Sequence, residues 1–311
     1  MITGISPSAY ILVSLLLTRT QPEKQPMKAN TSRTRIWRSQ YLPSIELVHG
    51  VSKSHSLPRH FHEELELGIR QGDGWQFNYR GAMHNVPSNT LVVTQPGEAH
   101  HADAMSDRNC IFRGLRIGVD LLQQVAIEVA GRETELPCFP IPLVYDRDFN
   151  TQIVQACLAL ESPISQLEQQ TLIMDLLAQL IMRCAEDPPC LTKLGKERQP
   201  VDRVRAYLED HYSQEISLEQ LAQIANLSSF HLNRSFRKTF GLPPHAYQIQ
   251  VRILQAKRLL RKEWSIEKVA AETGFVSQSH FGSHFKRLEC VTPRQYIQDS
   301  KNMIDFSSLI H

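Results

Sequence analysis

The chain has 311 residues and a mass of 35.6 kDa, too long for one ordinary domain and long enough for two with cores of their own. Hydrophobic residues make up 41% and charged residues 21%, with 14 Gly and 17 Pro, a balance that excludes a collagen, a wholly disordered chain and a disulfide scaffold. The formal charge of +2 conceals an asymmetry, because residues 1–195 hold 17 Lys+Arg against 20 Asp+Glu while residues 196–300 hold 16 against 11. A mildly acidic first part joined to a basic second part suits a sensor joined to a nucleic-acid binder.

The N-terminal apolar run, residues 9–17, is too short to span a bilayer and has no Lys or Arg before it as a signal peptide would, so it reads as neither a membrane anchor nor a signal peptide. Residues 1–36 read as a disordered leader, or as an upstream start with initiation at Met27 instead of Met1. The six cysteines, Cys110, Cys138, Cys157, Cys184, Cys190 and Cys290, form no CxxC pair. They read as small buried hydrophobes in a reducing compartment, which points to the cytoplasm.

From residue 37 to about 119 the pattern is that of short strands. Residues 45–51, 64–70, 75–79, 89–94 and 109–117 alternate or run apolar, punctuated by Gly72-Asp73-Gly74, Arg80-Gly81 and Gln95-Pro96-Gly97. Such spacing predicts an antiparallel barrel or sandwich. Gly72 and Gly74 do not complete GxGxxG, since Phe77 holds the third position, and they read as a hairpin turn. Trp75, Phe77 and Tyr79 alternate onto one face, as core or as pocket lining. Isolated His49, His55 and His84 read as surface or turn residues.

Helical character is expected after Pro142, with apolar stripes over residues 148–161 and 165–186. These two helices either pack on their own domain or join two protomers. Residues 187–200, with Pro188-Pro189 and a charged tail, read as a linker between a domain at 37–186 and one at 201–299, and residues 300–311 as a tail.

The second domain contains an internal repeat. Ser217-Leu218-Glu219-Gln220-Leu221-Ala222 matches Ser265-Ile266-Glu267-Lys268-Val269-Ala270 at an offset of 48, and Leu232, Phe236, Arg237, Lys238, Pro244 and Tyr247 match Phe281, Phe285, Lys286, Arg287, Pro293 and Tyr296 at an offset of 49. Each copy has the form of a helix-turn-helix. Ser217 and Gln220 make a capping box, and Asn226 and Gly274 stand where the turn needs a left-handed residue. Leu232 with Phe236, and Phe281 with Phe285, are i,i+4 pairs that dock the second helix. That leaves His231, Asn233, Arg234 and Arg237 facing outward, residue types that suit base edges and phosphates.

Residues 201–299 resemble the double helix-turn-helix domain of the AraC/XylS family of bacterial transcription regulators. The carriers are residues 216–222 (ISLEQLA), 252–260 (RILQAKRLL), 269–275 (VAAETGF) and 281–287 (FGSHFKR). The resemblance implies two recognition helices, at 228–240 and 277–288, joined by a long helix at 243–262 and entering successive major grooves. Its base-reading positions fall on Phe230, Asn233 and Arg234 in the first unit, and on Gln278, Ser279, Gly282 and Ser283 in the second. Ser283 stands where many members carry Arg, which leaves Gln278, with His280 or His284, as readers there. Arg237, Lys238, Lys286 and Arg287 are expected on phosphates.

Residues 55–101 resemble the cupin-type sensor that precedes this domain in many members, through His60-Phe61-His62, Glu66 and Pro96-Gly97-Glu98-Ala99-His100. On one continuous strand, positions 60, 62, 64 and 66 would share a face and converge with His100 inside a barrel. His60, His62, Glu66 and His100 are then either the wall of a small-molecule pocket without a cofactor, or the ligands of a divalent transition metal. The fold class expected is an all-β cupin-like barrel followed by helices, then an all-α double helix-turn-helix. The function expected is sequence-specific binding of promoter or operator DNA, modulated by a small-molecule effector, in an activator that meets RNA polymerase. The alternatives are a metal-dependent cupin enzyme with a DNA-binding appendage, or an architectural DNA binder whose barrel only dimerises.

Overall fold

A computed structural model describes residues 33–39, 41–53, 57–105, 109–189 and 198–298. Most of the leader, the tail, His55, Cys190 and most of the linker lie outside the described residues. Among those described, no helix is long and apolar enough to cross a membrane.

Among the described residues ten strands are formed, nine of them first: β1 Arg33–Arg38, β2 Ile45–Lys53, β3 Leu57–His60, β4 Leu65–Gln71, β5 Trp75–Tyr79, β6 Ala82–Val86, β7 Leu91–Thr94, β8 His100–Ala104, β9 Asn109–Ile117 and, later, β10 Leu143–Val144. They pair antiparallel into a six-stranded sheet, β1-β2-β9-β4-β7-β10, and a four-stranded sheet, β3-β8-β5-β6. The strand β1 begins inside the stretch read as leader, and β3, β6, β8 and β10 are additions to the strands read from sequence. β6, whose first four residues are half-buried or exposed, lacks the alternation that marks a half-buried strand.

Alternation decides what each face of the large sheet does. In β4, Leu65, Leu67 and Ile69 face the helices and join one apolar cluster with them, while Glu66, Gly68 and Arg70 face the small sheet and line the interior. Trp75, Phe77 and Tyr79 close that interior from the opposite side.

The helical layer starts earlier than expected. α1, Val119–Ala130, buries Leu122, Val125, Ala126 and Val129 and ends on a left-handed Gly131. Its stripe at three- and four-residue spacing was present in the sequence, so the expectation that helices begin after Pro142 is corrected. α2, Arg147–Leu160, and α3, Gln166–Cys184, follow with side-chain caps from Asp146 and Ser165. They pack on their own domain, in the cluster that includes the barrel sheet.

The second domain comprises α4 Arg198–Asp210, α5 Leu218–Ala225, α6 Ser229–Phe240, α7 Pro244–Arg261, α8 Ile266–Glu272 and α9 Gln278–Glu289. The capping box of Ser217 and Gln220 is formed, and Asn226 is left-handed at φ 55. Gly274 has φ 76, and a Cβ on it would lie 2.1 Å from the Ser213 carbonyl oxygen, so the turn admits only glycine. One apolar cluster runs from the barrel sheet through α1–α3 into α4–α6. The second unit has a core of its own around Phe281 and Phe285. The expectation of buried cysteines holds for Cys110 and Cys157, but Cys138 and Cys290 are exposed.

Candidate DNA-reading surface and sensor pocket

Ser228 caps α6 and presents its first turn outward from the second domain, yet what it meets is the sensor. Phe230 and Asn233 are only 8% and 1% exposed. Asn233 Nδ2 donates to Asp175 Oδ1 at 2.5 Å, and Arg237 donates to Asp175 Oδ2 at 2.5 Å. The Phe230 backbone N–H donates to Glu128 Oε2 at 2.8 Å, placing a carboxylate at the positive end of the helix. Alongside, the Leu218 N–H donates to Gln170 Oε1 at 2.8 Å. Arg234 is half-buried with its guanidinium 5.5 Å from the centre of the Phe230 ring, and Lys238 is exposed. The expectation that Asn233 faces outward is corrected, because it is buried against Asp175 of α3, whereas Arg237 pairs with the same carboxylate and keeps its side chain 37% exposed.

The second reading helix divides between solvent and sensor. Gln278, Ser279, Ser283 and Lys286 of α9 are exposed, and Gly282 and Arg287 are half-buried. His280 and His284 are buried instead of being free to read bases. Their Nε2 atoms lie 2.7 Å apart, and 3.5 and 3.9 Å from the carboxylate oxygens of Glu168 on α3. Arg287 donates to His284 Nδ1 at 2.5 Å. Burial alone would raise the Glu168 carboxyl, but the imidazoles of His280, His284 and His245 hold it far below the ordinary range. Burial pushes His284 well below its ordinary value, and His245 down to about 4. The imidazoles of His280 and His284 with Glu168 could also gather a cation, but the Arg287 guanidinium already occupies the Nδ1 side of His284.

The four predicted pocket residues do meet, by a different route from the one expected. The chain leaves β3 after His60, turns, and re-enters the other sheet as β4, so His60, His62 and Glu66 do not share one strand. His62 Nε2 lies 2.6 Å from Glu66 Oε2, and His100 Nε2 lies 3.8 Å from the same oxygen. The rings of His60 and His100 stand 4.3 Å apart on the paired strands β3 and β8. His62 Nδ1 donates to the Glu64 carbonyl at 3.0 Å and His100 Nδ1 to the Glu98 carbonyl at 3.0 Å, so the Nε2 atoms are turned inward. Burial opposes charge on His62, but the hydrogen bond and charge of Glu66 outweigh it and raise its pKa. Burial would likewise raise Glu66, yet His62 and Arg116 keep it below the usual range. Burial lowers His100.

His60, Glu66 and His100 line one end of a barrel cavity of about 210 Å³. Its middle is apolar, walled by Val48, Phe77, Val92 and Phe112, and its other end carries Arg70 and Trp75. Gly68 and Gly114 lie beneath the Phe112 ring, where a Cβ would come within 3.0 and 3.2 Å of it, so the ring lies across the sheet and forms the cavity floor. Sequence reasoning missed Arg70 and Arg116. Arg70 shares the parity of Glu66 along β4, and that was the available signal.

Two families match the chain. The one described as AraC-like ligand binding domain matches residues 42–177, and the one described as Helix-turn-helix domain matches residues 221–299. YbfI, an uncharacterized HTH-type transcriptional regulator of Bacillus subtilis (strain 168), is 27% identical over 223 residues, 72% of this chain and 80% of that protein. The HTH-type transcriptional activator RhaS of Escherichia coli (strain K12 / DH10B) is 23% identical over 256 residues, 78% of this chain and 87% of its own. RhaS of Klebsiella pneumoniae (strain 342) reaches 35% over 99 residues, 32% of this chain and 36% of that protein. Among solved structures, the DNA-binding domain of AdpA in complex with a target DNA is 31% identical and covers 33% of this chain and 95% of that one, with a TM-score of 0.32. ToxT from Vibrio cholerae O395 is 12% identical, covers 82% and 97% respectively, and has a TM-score of 0.34.

Proposed function

As a member of the AraC/XylS family, the chain is a DNA-binding transcription regulator with a ligand-binding N-terminal domain, and we propose that this conformation is its sealed state. The observation that carries the reading is the burial of Phe230 and Asn233 against the sensor, which leaves the first unit unable to reach a base edge. α3 links the two functions. It shares the apolar cluster with the barrel sheet, presents Glu168 and Asp175 to the reading helices and gives Gln170 to the start of α5.

A ligand that binds the barrel better in the open arrangement would release α6 and α9 together, and one that binds both equally would shift nothing. Opened, Asn233 and Arg234 would read bases in one major groove and Gln278, Ser279 and Ser283 in the next. Arg237, Lys238, Lys286 and Arg287 would position the protein on phosphates. Activation is the role carried over from the activator RhaS, and contact with RNA polymerase in the cytoplasm and assembly as a homodimer belong to the same proposal. The test is binding to DNA upstream of the gene against a scrambled duplex at several salt concentrations, for wild type and Arg234→Ala. Preference for the upstream duplex that persists at high salt and falls in the variant supports specific readout, and equal binding by both proteins overturns the reader assignment.

The histidine cluster serves this reading as pocket wall. With His62 Nδ1 committed to a carbonyl, the 2.6 Å approach of Nε2 to Glu66 is accounted for by a proton that makes His62 cationic. A divalent transition metal held by His60, His62, His100 and Glu66 fits the same donor set, since the ring nitrogens come within 4.8 Å of one another, and it would supply a Lewis-acid anchor for a ligand. Metal analysis of purified protein decides between them: stoichiometric metal that is lost in His60→Ala/His62→Ala favours the ion, and none favours the proton.

A further inference from the structure

Three buried donors on the cavity wall have no hydrogen-bond acceptor: Arg70 Nε and Trp75 Nε1 at the end away from the histidines, and Arg116 Nε beside Glu66 at the histidine end. Their situations differ. Arg116 has its charge met by Glu46 at 3.1 Å and Glu66 at 3.7 Å. Arg70 is 5% exposed, and among the described residues no carboxylate pairs with it. Its nearest compensation is the Trp75 ring, 5.9 Å from the guanidinium carbon to the ring centre, a contact far weaker than an ion pair with hydrogen bonds.

An arginine buried without a counter-charge is costly, and so is a buried indole N–H without an acceptor. Both costs fall at one point on the wall of one cavity, and both are removed by the same kind of group. A planar oxyanion accepts from a guanidinium in two places and can take an indole N–H with its remaining lone pairs. The middle of the cavity asks for the opposite character, since Phe112, Phe77, Val48 and Val92 offer no hydrogen bonds. At about 210 Å³ it is smaller than a drug-sized site.

Resting on the reading of the barrel as a regulatory pocket, we infer that its effector is a small monocarboxylate with an apolar body, its carboxylate received by Arg70 and the Trp75 N–H and its body lying over Phe112 and Phe77. A neutral sugar would leave the Arg70 charge without a counter-ion and set hydroxyls against the apolar middle. The side chains of Arg70 and Trp75 are therefore specificity determinants, and the histidine end bounds how long the ligand can be.

The test uses the full-length protein and matched pairs: butyrate, octanoate, benzoate and phenylacetate, each beside its primary amide, with D-glucose as a neutral polyol. Thermal unfolding and calorimetry are expected to show at least one carboxylate raising Tm by about 4 °C or more at saturation. Its amide should bind at least about tenfold more weakly. Arg70→Met should abolish the shift, Arg70→Lys should restore part of it, and Trp75→Phe should weaken binding about three- to tenfold. Carboxylate and amide binding equally, binding unchanged in Arg70→Met, or stabilisation by D-glucose alone would overturn the inference, as would a panel in which nothing binds. DNA binding is read separately in the same samples. A carboxylate that binds the barrel without altering DNA affinity leaves the inference standing and removes the regulatory reading. A neutral ligand that alters DNA affinity does the reverse.

Discussion

Asn233 and Arg237 share a single acceptor, the carboxylate of Asp175, each at 2.5 Å. In the proposed reading one would read bases and the other hold phosphate, so a sensor carboxylate takes two donors meant for DNA. Removing that acceptor weakens the sealed arrangement without touching the reading surface. Asp175→Ala is expected to tighten binding to cognate DNA in the absence of effector by about tenfold, an interface charge pair being worth a few kcal/mol when broken. Fluorescence anisotropy with a labelled duplex measures it. Unchanged or weaker binding would show that the contact does not hold the sensor against α6.

Acid is expected to open the molecule. Around Glu168 the groups that face one another are Glu168 and Asp175 from α3, Arg237 from α6, His245 and Arg252 from α7, and His280 and Arg287 beside His284 from α9. His245 and His284 have lowered values in the sealed state, so the open state binds more protons as pH falls below about 6.5, the ordinary value. Stability of the sealed form is full above that pH and declines beneath it. Glu168, held low, is ionised in both states between pH 7.5 and 5.5 and contributes no slope there. From His245 alone the shift is about 1 kcal/mol at pH 5.5, by linkage. DNA affinity at constant ionic strength should therefore rise between pH 7.5 and 5.5 in wild type more than in His245→Gln/His284→Gln, which retains every other titrating group. Parallel pH profiles for the two proteins would refute it.

The parts of this molecule that were legible in the sequence are those fixed by local chemistry. The capping box at Ser217, the left-handed turn residues Asn226 and Gly274 and the i,i+4 pairs of α6 and α9 depend on neighbours within a turn or two. The alternating Trp75, Phe77 and Tyr79 likewise declared their face. What sequence could not supply was which exposed-looking faces are covered. Asn233 sits 58 residues from Asp175, and no periodicity in α6 records that a helix from the other domain lies against it. Arg252 shows the same limit. It reads as an ordinary basic residue of a long helix, yet it is buried, donating to the Tyr212 carbonyl at 2.6 Å and the Gln214 carbonyl at 2.9 Å. The histidine cluster was identified from the right residues through the wrong strand, because the turn between His60 and Leu65 replaces the single strand that the alternation suggested.

The second-unit turn yields a stability prediction independent of any ligand. Gly274 combines φ 76 with a site where a Cβ would sit 2.1 Å from the Ser213 carbonyl oxygen and 2.7 Å from its Cα. Both neighbours are backbone and cannot rotate away. Gly274→Ala should cost about 2–4 kcal/mol, the sum of a strained dihedral and an overpacked contact. Gly241→Ala is the contrast: its φ of 77 is equally left-handed, but nothing lies within 4 Å of the added methyl, so only the dihedral cost of about 1 kcal/mol should appear. Urea denaturation of the two variants separates steric from torsional strain, and equal losses would contradict the packing at Ser213.

Arg234 and Lys238 stand one turn apart on α6 and should fail in different ways. Arg234 is half-buried against Phe230, which orients its guanidinium, while Lys238 is exposed. A planar fork held by an aromatic ring suits a base edge, and a free ammonium suits a phosphate. Arg234→Ala is expected to cost about 1–3 kcal/mol on the cognate duplex and much less on a scrambled one, so that discrimination narrows. Lys238→Ala should weaken both duplexes alike and reduce the slope of log affinity against log salt by about 1. Measuring both duplexes over a salt series distinguishes the roles. If Lys238→Ala instead narrowed discrimination while Arg234→Ala changed only the salt slope, the base and phosphate assignments on this helix would have to be exchanged.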